Sequence, residues 1–183
     1  MNTKVVNLFA GPGAGKSTTA AGIFYYMKKE GVSCELAPEY AKDLVWEESI
    51  KKLDNQIYVF GKQLQRMARL VGKVEYIIAD SPIILSWIYE QLRRDRNFID
   101  GTETLGKLIY EEFSFMKNIN IFLNRRPGYQ QDGRLQNLDE AKDIDDRIKN
   151  YLSRNHIKTY FVDVSDETAL TISKKILSGT FTP

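Results

Sequence analysis

Ala10-Gly11-Pro12-Gly13-Ala14-Gly15-Lys16-Ser17-Thr18 is a glycine-rich break between two regular patterns. Before it, residues 5–9 form a short apolar run with β-branched side chains, the signature of a buried strand. After it, residues 17–30 read as a helix stopped by Gly31. Strand, glycine loop and helix form the context that a Walker A pattern requires, and the match has one departure, Ala10 in place of the first glycine. Glycines let the backbone curl so that consecutive N–H groups face phosphate oxygens, and the positive end of the following helix adds to that field. Residues 11–18 (Gly11, Pro12, Gly13, Ala14, Gly15, Lys16, Ser17 and Thr18) are therefore the candidate nucleotide-binding set. Lys16 reaches the β- and γ-phosphates of ATP, and the Ser17 hydroxyl binds Mg²⁺. A dinucleotide-binding reading fails on spacing, because Lys16 follows where a third glycine or alanine is needed.

Strand and helix patterns alternate outward from this loop. Residues 33–37, 75–79, 119–123 and 159–164 read as further strands. Residues 55–71, 83–93, 104–117, 138–152 and 166–177 read as helices. In residues 138–152, Leu138, Ala141, Ile144, Ile148, Tyr151 and Leu152 share a face. Asp143 and Arg147 form an i,i+4 pair opposite that face, and Asp145 and Lys149 a second pair nearer its edge. The alternation predicts an α/β fold of the P-loop NTPase type, with five parallel strands and helices on both faces. Residues 1–183 read as one domain with a short mobile lid over about residues 124–137, and residues 178–183 are expected to fray.

The chain has 183 residues, and 26 Lys+Arg against 24 Asp+Glu leave a net charge of +2. That balance gives no global case for nucleic acid, although it leaves room for a local basic groove. A single cysteine, Cys34, excludes an internal disulfide and a multi-cysteine zinc site, and a single histidine, His156, excludes two-histidine catalysis. Cys34 reads as buried and His156 as a surface residue, while Tyr25, Tyr26, Tyr58, Phe60 and Trp87 read as core. No apolar run near the N-terminus is long enough for a membrane span, so the expectation is a soluble, cytoplasmic protein.

Two acids fall at predicted strand ends, where open parallel sheets bind ligands. Asp80 follows residues 75–79; it reads as a Walker B metal ligand or, before Pro82, as a helix cap. Glu39 reads as a base for an acceptor hydroxyl or as a turn acid. Lys62, Arg66, Arg69 and Lys73 fall on one stripe if the helix runs on through Gly72. Such a stripe is either a solvated face or a track for an anion. Arg125, Arg126 and Arg134 flank and occupy the polar loop, where arginines stabilise a transferring phosphoryl group.

These motifs, in order, resemble the small P-loop kinases of the nucleoside and nucleotide kinase group. Thymidylate kinases, deoxynucleoside kinases and ribosylnicotinamide kinase domains belong to it, and compact bacteriophage proteins of this kind look most similar. The resemblance covers nearly the whole chain. It rests on residues 11–17, on Pro38-Glu39-Tyr40-Ala41-Lys42-Asp43, on Gln63 to Arg66, on Asp80-Ser81-Pro82 and on Asp132-Gly133-Arg134. It implies Glu39 as the base, Lys16, Arg134 and Asp80 as catalytic, and Arg125 and Arg126 at the nucleotide. It further implies Gln63 and Arg66 at the acceptor, Ser17 and Asp80 at Mg²⁺, and a homodimer, since kinases of this group often dimerise. Thymidylate kinases usually carry Asp-Arg where this chain has Asp80-Ser81, which removes one charge for a monophosphate acceptor. The chain also resembles bacteriophage kinases that phosphorylate 5-hydroxymethyluracil in DNA. The expectation is thus ATP- and Mg²⁺-dependent transfer to a hydroxyl of a pyrimidine nucleoside-like acceptor, leaning to hydroxymethylated DNA. The alternatives are a kinase of free nucleosides or nucleotides and a regulatory ATPase.

Overall fold

The computed structural model describes residues 2–92, 102–126 and 137–183. The strands are β1 (Lys4–Phe9), β2 (Cys34–Ala37), β3 (Tyr76–Ala79), β4 (Lys117–Asn124) and β5 (Tyr160–Asp163). The helices are α1 (Lys16–Lys29), α2 (Tyr40–Trp46), α3 (Gln56–Ala68), α4 (Ile84–Leu92), α5 (Thr102–Ser114), α6 (Leu138–Arg154) and α7 (Thr168–Leu177). A 3₁₀ turn, Ile50–Asp54, links α2 to α3. The strands lie in the order β2-β3-β1-β4-β5, and every pairing is parallel. The expected five-stranded sheet is present.

The period-2 alternation of each strand divides the core between the two sheet faces. Val5, Phe9, Ile77, Ala79 and Phe122 pack on one side with Phe60 and Met67 of α3, Ile88 of α4, Ile109 of α5 and Ile148 of α6. Val6, Leu8, Ile78, Ile121 and Leu123 pack on the other with Ile23 and Met27 of α1 and Ile172 and Ile176 of α7. Asn7 interrupts the apolar run of β1. Its side-chain amide nitrogen donates to Asn118 Oδ1 (2.8 Å) and Asn120 Oδ1 (3.0 Å), which ties β1 to β4 across the ladder, while its own Oδ1 is buried without a partner.

Several expectations need correction. The helix expected over residues 55–71 ends at Ala68, where 3₁₀-type turns carry the chain to Gly72 at φ 78°. Lys73 is therefore not on α3, and the four-residue basic stripe is broken. The helix expected to reach residue 117 ends at Ser114, because Lys117 is already in register with Lys4 in the β1–β4 ladder. Neither α2 nor the 3₁₀ turn was expected. Leu138 and Tyr25 are exposed rather than part of an apolar face or core, whereas Cys34 is buried and His156 exposed. Arg93 and residues 127–136, including Asp132, Gly133 and Arg134 of the expected lid, lie outside the described residues.

Helix α6 begins with a capping box: the Asn137 side chain accepts from the Glu140 N–H, and the Glu140 carboxylate accepts from the Asn137 N–H (both 2.9 Å). Asn137→Ala removes one of these bonds and should cost about 1 kcal/mol of unfolding free energy, read from urea denaturation.

Candidate functional site

The site is built at the carboxyl end of β1. Beyond Phe9 the chain bends through Gly13 (φ 75°) and Gly15 (φ 89°), a left-handed conformation that side chains with a Cβ rarely adopt. The Lys16 ammonium folds back over this bend and donates to the carbonyls of Ala10 (2.9 Å) and Gly11 (3.1 Å). Lys16 is buried, so these carbonyls hold a desolvated charge at the floor of the loop.

Strand β3 lies beside β1 and delivers Asp80 to the same place. The Ser17 hydroxyl donates to Asp80 Oδ2 at 2.7 Å. The second carboxylate oxygen of Asp80 is buried and has no hydrogen-bond partner. Asp80 thus faces the loop, and the metal-ligand reading of it fits better than the cap. A hydroxyl and a carboxylate with an oxygen to spare are hard oxygen donors of the kind Mg²⁺ takes. Among the described residues no three acids, histidines or cysteines stand together as a metal cluster. The remaining ligands would have to be phosphate oxygens and water.

Glu39 lies between β2 and α2, at the N-cap position of α2, yet its side chain makes no capping bond. Its carboxyl is held above the usual range, chiefly by burial. Asp80 pushes it further in the same direction, while Lys16 and Lys42 oppose the shift. Glu39, Lys16 and Asp80 therefore form one electrostatic unit. A half-buried acid with a raised proton affinity suits a base better than a solvated turn residue.

A cavity of about 580 Å³ opens in front of these groups. Its near wall is Pro12, Gly13, Gly15, Lys16, Ser17 and Thr18. The cavity is also lined by apolar and aromatic side chains, among them Trp46, Leu53, Leu85 and Tyr89. Lys42, Asp54, Gln56 and Ser86 add polar groups. Of these eight the sequence points only to Lys42, within the Pro38-Glu39-Tyr40-Ala41-Lys42-Asp43 motif. Trp46 is 72% exposed, a large ring left in solvent at the mouth of a polar site. The available signal was one tryptophan in the charged run Lys42-Asp43-Leu44-Val45-Trp46-Glu47-Glu48.

Other sequence candidates fall elsewhere. Gln63 is buried in α3, where its Oε1 accepts from the Tyr40 N–H at 2.9 Å, and it does not line the cavity. Arg66 donates to the Asp43 carboxylate and to the Pro38 carbonyl (3.1 Å) and lies over the Tyr40 ring. It lines a separate open groove with Pro38, Asp43, Gln65 and Arg69. Both residues brace the turn that presents Glu39. Arg126 pairs with Asp166 at 2.7 Å on the surface. Arg125 and Gly11 are engaged with α6, and the expected Asp145–Lys149 pair is absent: Asp145 pairs with Arg125, and Lys149 lies over the Phe122 ring. Asp143 and Arg147 do pair, at 2.7 Å.

Five parallel strands, a glycine loop with an inward lysine and a serine linked to a strand-end aspartate define a P-loop NTPase. A family model described as an AAA domain matches residues 5–168, and the chain belongs to that family. Solved structures share the fold, two of them of NadR protein. One is NadR protein in complex with NAD and AMP-PNP (TM-score 0.71, 14% identity), of which 97% of this chain covers 49%. The other is NadR protein in complex with NR (TM-score 0.74, 15% identity), of which the whole of this chain covers 53%. The chain thus spans about half the length of these structures. No curated protein matches the sequence. No helix among the described residues is long and apolar enough to cross a membrane.

The raised Glu39 carboxyl has a consequence for stability. The folded state holds its proton to higher pH than the unfolded chain, whose value is near 4.5. Ionised Glu39 therefore opposes folding, and stability is lost as pH rises through this window. Glu39→Gln should raise the urea midpoint at pH 7, and the gain should vanish below about pH 4.5.

Proposed function

We propose that this chain is a Mg²⁺-dependent phosphotransferase that moves the γ-phosphate of ATP to a hydroxyl of a pyrimidine nucleoside-like acceptor. The observation that carries this reading is the placement of Glu39, beside Lys16 and Asp80, on a cavity walled by the phosphate loop and an aromatic surface. The NadR structures of the same fold support it, since they hold AMP-PNP, NAD and NR.

In this account the ring of the acceptor lies between Trp46 and Tyr89, with its hydroxyl toward Glu39. Glu39 takes the hydroxyl proton as the oxygen forms its bond to the γ-phosphorus. The bond from that phosphorus to the bridging oxygen of ADP breaks. The Lys16 ammonium and the loop amides offset the charge on the transferring group. Ser17 and Asp80 would hold Mg²⁺, which supplies positive charge to the phosphate oxygens when bound. Among the described residues, the cations lining the cavity are Lys16 and Lys42, and Arg66 is turned to Asp43. Ser81, standing where thymidylate kinases carry an arginine after the aspartate, favours a hydroxyl acceptor over a monophosphate.

The narrower reading takes the acceptor to be the hydroxymethyl group of 5-hydroxymethyluracil in DNA, acting in the cytoplasm of a phage-infected host. Lys62 and Arg69 are exposed on and just after α3, and the groove beside Pro38 would offer a path for backbone phosphates. A free nucleoside as acceptor leaves those cations solvated.

The test is transfer of label from γ-labelled ATP with Mg²⁺ to free nucleosides, to nucleoside monophosphates, and to DNA with or without 5-hydroxymethyluracil. Label should enter a hydroxyl-bearing acceptor. Glu39→Gln should lower that transfer by at least about 100-fold. Trp46→Ala should raise the acceptor KM about tenfold while leaving the KM for ATP unchanged. Release of label only as inorganic phosphate, undiminished in Glu39→Gln, would make the chain an ATPase switch instead.

A further inference from the structure

Asp145 and Arg125 form an ion pair at the back of the phosphate loop, with side chains only 9% and 11% exposed. Arg125 directly follows β4, and Asp145 lies two turns into α6. Arg125 Nε and Nη2 both donate to Asp145 Oδ2, at 3.0 and 2.8 Å. Both side chains also bond to backbone. Asp145 Oδ1 accepts from the Gly11 N–H. Arg125 Nη1 donates to the Pro12 carbonyl at 2.7 Å, and Nη2 reaches the Ala141 carbonyl at 3.4 Å. The fit is close: a Cβ on Gly11 would stand 2.5 Å from the Ala141 carbonyl oxygen and 2.9 Å from Asp145 Oδ1.

A buried ion pair is a poor source of stability, because desolvation offsets its attraction and an apolar pair often does as well. What this pair does that an apolar pair cannot is fix two peptide groups of the loop, through the Gly11 N–H and the Pro12 carbonyl. The Gly11 N–H shares its peptide group with the Ala10 carbonyl that holds Lys16, and the Pro12 carbonyl lies one peptide beyond the Gly11 carbonyl that also holds it.

We propose that Asp145 is a positioning residue for nucleotide binding, which acts through Arg125 and Gly11 to hold the phosphate loop in its binding shape. The inference rests on the reading of that loop as an ATP site. It also assigns Arg125 a place behind the loop rather than against the nucleotide.

The sign of one substitution tests it. If Asp145 acts on the nucleotide only through its charge, removing a carboxylate near a triphosphate strengthens ATP binding. If it positions the loop, removal weakens binding. Mg²⁺–ATP affinity is measured by calorimetry, beside melting without ligand, for the wild type, Asp145→Asn, the double variant Arg125→Met/Asp145→Leu, and Asp143→Asn as a control on the exposed face of α6. The wild type and the control should bind alike. Asp145→Asn should bind about tenfold more weakly. The double variant should melt within a few degrees of the wild type and still bind weakly, because an apolar pair restores packing but not the hold on the loop. Binding equal to or tighter than wild type in Asp145→Asn overturns the proposal. Should that variant fail to fold, wild-type affinity in the double variant overturns it equally. Absence of ATP binding by the wild type is a separate result and refutes the nucleotide reading itself.

Discussion

A buried ammonium held by two backbone carbonyls organises this molecule. The Lys16 side chain can reach back to Ala10 and Gly11 only if the chain reverses sharply after β1, and the reversal requires left-handed backbone at Gly13 and Gly15. Once that turn is made, helix α1 must start at Lys16, and Ser17 comes to face the end of the neighbouring strand. The parallel pairing of β1 with β3 then decides which acid meets Ser17. Asp80 follows directly from Ala79, the partner of Asn7, so the sheet register sets the serine–aspartate link.

The second layer of the site comes from the segment after β2. Glu39 is presented by a turn whose backbone is pinned from behind, by Gln63 at the Tyr40 amide and by Arg66 at the Pro38 carbonyl. Residues that looked like acceptor contacts thus hold the turn that carries Glu39 in place. The same segment carries Trp46 to the cavity, so the proposed base and the exposed ring come from one short stretch of chain. The cavity brings the charged phosphate loop together with apolar and aromatic side chains, which suits an acceptor that carries both a flat ring and a hydroxyl.

Much of this was legible in the sequence, for physical reasons. The five strands announce themselves because buried parallel strands are short apolar runs, and the loop does so because few sequences can curl around phosphate. Asp80 and Glu39 were found by position at strand ends. The misses also share a cause. Periodicity reports which face of a helix is apolar and says nothing of distant partners. Asp145 looks like half of a local pair with Lys149 until the fold brings Arg125 beside it. Helix α2 has seven residues, too few to show a period, so Trp46 had no pattern to stand out from. The end of α3 was placed late because the apolar spacing continues through Leu70 and Val71 after the helix has stopped.

The central claim is that the cavity in front of Glu39 holds the acceptor. The chain has two tryptophans, and Trp87 packs partly buried against the core while Trp46 stands at the cavity mouth. A Trp87→Phe variant therefore leaves Trp46 as the sole reporter of the cavity. Its fluorescence should change saturably when titrated with the nucleoside or oligonucleotide that accepts phosphate, at concentrations matching the KM for transfer. An unchanged Trp46 signal through saturation with an acceptor that is being phosphorylated would contradict the account.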